Sequence, residues 1–230
     1  MASKLEFYLV RHGESMGNVD RNIHHTHADH AIPLSEKGKE QAFESGKKLA
    51  EHLLQNQKSV YEKVRLWVGP YKRTRETADY LQKGISECMT NLGLDEKIQF
   101  DFSRREDITL VEQQFGLFDG VEDFDLPIKF PLEHAHYKKQ EDFEGRFWAR
   151  MPLGESRFDV ALRVKQLFGT FHRDSENSGV NKLIIVSHGV TLRAFMMQWL
   201  HLSVEWFENE RNPRNASIRL LSNNKDFGYL

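Results

Sequence analysis

Leu5-Glu6-Phe7-Tyr8-Leu9-Val10 runs directly into Arg11-His12-Gly13-Glu14-Ser15. The apolar run is rich in strand-forming residues and short enough for a buried strand. Where it stops, a histidine and a glycine follow, and the carboxyl end of such a strand is where open α/β sheets bind their ligands. Gly13 is expected to let backbone approach a ligand closely. Arg11 offers a planar fork of donors suited to phosphate oxygens, whereas a lysine acts as a point charge. The expected ligand is an anion.

Two more junctions of this kind follow. Lys182-Leu183-Ile184-Ile185-Val186 reads as a fully buried strand that delivers Ser187-His188-Gly189, and Leu192, Phe195, Met196 and Trp199 then repeat at helical spacing. Val64 to Val68 ends at Gly69-Pro70 and leads into Tyr71-Lys72-Arg73-Thr74-Arg75-Glu76-Thr77-Ala78, a helical first turn loaded with cations. Cations at a helix N-terminus oppose the helix dipole. A bound anion reverses that cost, because dipole, free backbone N–H groups and guanidinium groups then all favour one ligand.

Length and composition set the frame. At 230 residues and 39% hydrophobic content the chain can bury a sizeable core, and the alternation of strand and helix patterns favours the α/β class. No linker, repeat or low-complexity tract divides residues 1–230, so one domain is expected. A formal net charge of −2 leaves no global basic footprint for nucleic acid. No stretch reaches the roughly 18 apolar residues of a membrane span, and Met1 to Glu6 lacks the apolar core of a secretory signal. Cys88 is the one cysteine, which excludes an intrachain disulfide and reads as a small buried hydrophobe. A cytoplasmic protein is expected. No apolar surface stripe separates from the core pattern, so the sequence sets no oligomeric state.

Taken in order, six segments carry a family likeness: Arg11-His12-Gly13-Glu14-Ser15 with Asn18, Leu34-Ser35-Glu36-Lys37-Gly38 through Ala42, Gly69 to Arg73 with Glu76-Thr77-Ala78, Leu110-Val111-Glu112 with Phe115-Gly116, Gly154-Glu155-Ser156, and Ser187-His188-Gly189. Together they resemble the histidine phosphatase superfamily, in its phosphoglycerate-mutase-like branch. The resemblance implies a single-domain three-layer α/β/α sandwich with a mostly parallel central sheet. It further implies that His12 is the nucleophile that takes the phosphoryl group and that Arg11, Arg73 and His188 grip its equatorial oxygens. Asn18 would add a neutral donor, Gly189 would lie beside the substrate, and Glu112 would donate the proton.

Phosphate monoesters hydrolyse extremely slowly unaided, so a catalyst must stabilise charge on the transferring group and protonate the leaving alkoxide. Arginines beside His12 disfavour its protonation and keep the imidazole nucleophilic. A bound phosphate dianion conversely favours the protonated form of Glu112.

Two stripes, Ala42 to Leu54 and Val160 to Phe171, are expected to be core helices, with Ser156 as the N-cap of the second. Residues 117–153 form a long connection with acidic residues early (Asp119, Glu122, Asp123, Asp125) and basic and aromatic residues later, and it is expected to be a lid. Within it, Arg146 and Arg150 stand at i, i+4 around Phe147 and Trp148. That spacing places both guanidinium groups on one helix face, where they are expected to touch substrate. The tandem-arginine lid motif of true phosphoglycerate mutases is absent here, and the stretch resembles mutase-like members from plants and fungi.

His24, His25, His27 and His30 suggest a metal site, but their loop has no periodicity to make them converge and the chemistry needs no metal. The expected activity is therefore metal-independent, cofactor-free hydrolysis of a small phosphorylated substrate. A cofactor-dependent phosphoglycerate mutase is the alternative, and a slow phosphate-ligand sensor or interaction module is the alternative from another class. Residues 216–221 read as a last edge strand with a mobile tail.

His12→Ala is expected to abolish turnover and phosphoenzyme formation while leaving the fold intact. Phosphate release together with circular dichroism checks this, and retained turnover removes His12 from the chemistry.

Overall fold

Alternation along β1 (Glu6–Arg11) decides the layering. Phe7 and Leu9 point into one hydrophobic core and Tyr8 and Val10 into a second, and all four are buried. A strand with both faces covered must sit inside a sheet flanked by helices on either side. The computed structural model describes residues 5–57, 61–91 and 99–230.

After β1 the chain forms a short helix α1 (Met16–Val19), two 3-10 turns, and the long helix α2 (Glu36–Gln55). Strand β2 (Tyr61–Val68), helix α3 (Lys72–Asn91) and strand β3 (Gln99–Glu106) follow. Helices α4 (Leu126–Lys129), α5 (Pro131–Glu144), α6 (Arg157–Lys165) and α7 (Phe168–Ser178) precede β4 (Lys182–Ser187). The chain closes with α8 (Gly189–Leu200), α9 (Val204–Asn209), β5 (Ile218–Ser222) and β6 (Lys225–Tyr229).

Among the described residues the strands form one six-stranded sheet in the order β3-β2-β4-β1-β5-β6. The first four are mutually parallel, whereas β5 pairs antiparallel with β1 and β6 antiparallel with β5. Helices α2 and α3 cover one face through Leu49, Leu53, Leu81 and Ile85. Helices α6, α7 and α8 cover the other through Val160, Val164, Phe171 and Phe195. This is the α/β/α sandwich expected, with a mostly parallel centre.

Register makes the fold useful. Arg11 lies opposite Ser187 across the β1–β4 pair, and Val68 lies opposite Val186 across β2–β4. Three parallel strands therefore end at one level. The His12 N–H continues the pattern by donating to the Ser187 carbonyl at 3.0 Å, and the Gly69 N–H donates to Val186 at 3.0 Å. His12 and His188 thus leave adjacent strand ends side by side.

Two expectations need correction. The chain after residue 221 is not a mobile tail: Asn223 and Asn224, with φ of 51° and 55°, make a tight turn that returns β6 to the sheet. Such a turn matches the twist of paired strands. β6 escapes hydrophobic patterning because its side chains are mostly exposed, and it rather than β5 is the edge. The stripe from Val160 to Phe171 is divided between α6 and α7, although Ser156 caps α6 as expected, accepting from the Asp159 N–H. Within residues 117–153 the chain forms α4 and α5, and Phe118, Leu126, Tyr137 and Ala149 make a small core of their own. No helix among the described residues is long and apolar enough to cross a membrane.

Phe7 anchors the core beneath the strand ends, with ring centroids 4.5 Å from Trp199, 5.1 Å from Phe195 and 5.5 Å from Phe171. Phe7→Ala is expected to cost about 3–5 kcal/mol. Urea unfolding measures it, and a loss below about 1 kcal/mol would mean that the cluster closes over the gap.

Candidate active site

The imidazole of His12 is buried, with 4% of its surface exposed. Its Nδ1 lies 2.7 Å from the Gly13 carbonyl oxygen. A carbonyl can only accept, so Nδ1 carries the proton and Nε2 keeps its lone pair. Burial first, then the charges of Arg73 and Arg11, hold the His12 pKa well below its ordinary value. The ring is neutral, with a fixed tautomer.

His188 stands beside it, ring centroids 5.2 Å apart. It is fully buried, and neither ring nitrogen has a hydrogen-bond partner in the protein. Arg11 Nε is likewise buried without a partner, while its Nη1 donates to the Pro213 carbonyl at 2.6 Å. Orphaned buried polar atoms are costly and rare, so a cluster of them around one point marks a place that a ligand completes. Burial also lowers the His188 pKa, with Arg73, His12, Arg163 and Arg11 adding to it.

Arg73 sits in the first turn of α3 and is 6% exposed. Its guanidinium stacks over the Tyr71 ring at 4.9 Å, and the Tyr71 ring lies 5.1 Å from His188. Arg75, two positions further along the cationic turn, points away and pairs with Glu106 at 2.5 Å. The rotation of the helix thus separates the two arginines.

Glu112 follows the 3-10 turn after β3. Its Oε1 accepts from its neighbour's N–H, that of Gln113, at 3.0 Å, and lies 3.3 Å from Thr191 Oγ1. The loop carrying it is pinned from several sides. Ser187 Oγ donates to the Leu110 carbonyl at 2.8 Å and Thr191 Oγ1 to Val111 at 2.6 Å. Arg163 of α6 reaches the carbonyls of Thr109 and Glu112. The same arginine pairs with Glu155 at 2.8 Å, and Glu155 Oε2 accepts the Gln114 N–H at 3.0 Å.

Asn18 Oδ1 accepts from the Ser15 N–H at 3.1 Å and from Asn215 Nδ2 at 3.2 Å, which leaves its amide N–H groups as donors. Asn215 also donates to the His12 carbonyl at 3.1 Å. Gly189 opens α8, where a Cβ would fall 2.8 Å from the Asn212 side chain. Gly13 differs from expectation: a Cβ there would meet the Gly38 carbonyl at 2.3 Å, so the glycine admits the start of α2 rather than a ligand.

The two lid arginines do not share a face. Residues 145–150 form a turn after Gly145 ends α5, and buried Phe147 and Ala149 anchor that turn in the cores. Arg146 consequently faces Glu141 at 3.7 Å and lines a cavity of about 690 Å³ that also touches Asn18 and Asn212. Arg150 turns outward to Asp159 at 2.6 Å and is absent from that lining. The histidines also disperse. His24 lines the cavity, His27 meets Thr26, and His30 faces Tyr71. Among the described residues no group of three or more His, Cys, Asp or Glu is arranged to hold a metal.

Sequence reasoning overlooked Tyr71, Thr191, Asp29 and the Glu155–Arg163 pair. Tyr71, Glu155 and Arg163 stood inside segments already singled out, but no local pattern marked the contacts that they make.

The family model described as histidine phosphatase superfamily (branch 1) matches residues 7–229. Phosphoglycerate mutase-like protein AT74 of Arabidopsis thaliana is 36% identical over 220 residues, covering 93% of this chain and 63% of its own length. Broad-range acid phosphatase DET1 of Saccharomyces cerevisiae is 23% identical, covering 93% and 84%. A mycobacterial glucosyl-3-phosphoglycerate phosphatase solved with VO3 superposes with a TM-score of 0.66 at 21% identity, covering 95% of this chain and 91% of that one. That likeness is one of fold. The chain thus spans less than two thirds of the plant relative.

Arg163→Met should free the loop that carries Glu112. Release of phosphate from a small phosphomonoester is expected to lose about 10–100-fold in kcat, the scale of removing a partner that orients an active group, with a smaller change in KM. Unchanged kcat would mean that the Glu112 loop keeps its place without Arg163.

Proposed function

Because the chain belongs to the histidine phosphatase superfamily, branch 1, we propose that it hydrolyses phosphomonoesters through a phosphohistidine on His12. The supporting observation is the neutral His12 ring, its Nδ1–H held by Gly13 and its centroid 5.2 Å from that of unpartnered His188. In the first step the Nε2 lone pair forms a bond to phosphorus as the ester P–O bond breaks, and the leaving oxygen takes a proton from the Glu112 carboxyl. Arg11, Arg73 and His188 stabilise the charge on the equatorial oxygens, with Asn18 as a neutral donor. In the second step water gives a proton to the Glu112 carboxylate and attacks phosphorus, the N–P bond breaks, and inorganic phosphate leaves. The two guanidinium groups supply the countercharge and neutral His188 adds a hydrogen-bond donor, so the scheme needs no metal. A reducing, cytoplasmic setting fits the single thiol of Cys88.

Hydrolysis is favoured over mutase activity by the charge of the neighbouring cavity. Arg21 is paired with Glu122 at 2.6 Å, and Lys138 and Arg146 share Glu141. Asp119 and Asp123 line the same space. Cations already neutralised in this way do not make a receptor for a second strongly anionic group, which a bisphosphate-primed mutase requires. We read residues 117–153 as a lid over this cavity, which receives the leaving group of the substrate, and Arg146 as its contact.

A panel of phosphomonoesters assayed for phosphate release tests the reading, alongside conversion of 3-phosphoglycerate to 2-phosphoglycerate with and without bisphosphate primer. Primer-dependent isomerisation faster than release would make the protein a mutase, and binding without release would make it a sensor. The acid limb of kcat/KM is expected below pH 6.5, because the folded His12 takes up a proton only well under that ordinary imidazole value. Stability has the matching sign. Below about pH 6.5 the unfolded chain binds protons on His12 and His188 that the folded protein does not, so stability falls as pH drops through that range.

A further inference from the structure

We infer that Asp29 is a positioning residue for Arg73, holding one edge of its guanidinium so that the other edge meets the transferring phosphoryl group as a ready fork. The inference rests on the phosphatase reading above.

A guanidinium has five N–H donors in one plane. Arg73 Nη1 gives both of its own to Asp29, one to the backbone carbonyl at 2.7 Å and one to Oδ1 at 2.9 Å. Nη2 gives one to Oδ2 at 3.1 Å. The end-on edge is therefore fully engaged in a two-pronged contact. What remains is Nε–H and the second Nη2–H, adjacent and parallel on the side edge, and no described protein group accepts from Nε. Two parallel donors are the arrangement that grips two phosphate oxygens.

The anchor is itself fixed. Asp29 opens a 3-10 turn that lies along α3, and one turn further down that helix Glu76 accepts the Leu34 N–H at 2.7 Å. Ile32, between them, is fully buried. Arg73 is thus pinned from below by the Tyr71 ring and from one edge by Asp29. A carboxylate that merely occupied the seat of the phosphate would be a displaceable gate. Its backbone carbonyl would have no reason to bind the same arginine, and here it does.

The test measures inorganic phosphate affinity and kcat and KM for a phosphomonoester in the wild-type protein, in Asp29→Asn and Asp29→Ala, in Arg73→Ala and in the Asp29→Ala/Arg73→Ala double variant. Asp29→Ala is expected to weaken phosphate binding and lower kcat/KM by about 10–100-fold. Asp29→Asn, which keeps one acceptor, should fall between, and in the Arg73→Ala background the Asp29 change should add nothing. Tighter phosphate binding in Asp29→Ala would show a gate and overturn the inference. Equal losses with and without Arg73 would show a general structural role and also overturn it. Asp29→Asn carries the test if the alanine variant does not fold. A wild-type protein that neither binds nor releases phosphate removes the phosphatase reading and this inference together, whereas normal wild-type activity with unaltered Asp29 variants removes this inference alone.

Discussion

The pairing of β1 with β4 is the constraint on which the rest depends. Parallel hydrogen bonding fixes Arg11 opposite Ser187, and the residue that follows each is a histidine. A slip of one position would turn each side chain of β1 to the opposite face, sending Phe7 toward α2 and Tyr8 toward α7. The core and the site therefore specify the same register. Burial of Phe7, Leu9, Tyr8 and Val10 holds the strand in place, and the imidazole pair follows without a separate device.

Charge is the second organising factor. Arg11 and Arg73 approach two buried imidazoles, an arrangement that repels protons and attracts anions. Burial lowers the Arg11 pKa, Glu112 offsets part of this, and Arg73 adds to it. A concentration of positive charge is costly to maintain in a folded chain unless it is compensated nearby. Asp29 compensates Arg73 without covering both of its edges, and Pro213 meets only one donor of Arg11. Glu155 and Arg163 show the same economy: their ion pair is directed at backbone, and so it stiffens the Glu112 loop without adding net charge to it.

The parts legible in sequence are those where one local signal carries the information. Apolar runs that stop at polar residues located His12, His188 and the cationic turn of α3, because a buried parallel strand must end abruptly. Asp29 was not legible, since it lies in a loop without periodicity and meets Arg73 only after α3 packs beside it. The i, i+4 reading of Arg146 and Arg150 failed because it assumed a helix where burial of Phe147 and Ala149 imposes a turn. The last strand went unseen for the opposite reason. It is exposed, and its signal was the Asn223-Asn224 dipeptide rather than any hydrophobic pattern.

The loop between α9 and β5 has a consequence for biosynthesis. Asn215 reaches back to the His12 carbonyl, Pro213 receives Arg11, and β5 zips onto β1 about two hundred positions upstream. During translation the amino-terminal strand must wait, one flank unpaired, until those late residues emerge. Contacts so distant along the chain slow folding. A nascent polypeptide lacking them holds the His12 imidazole in an unfinished frame, which is completed only with the final closing of the sheet.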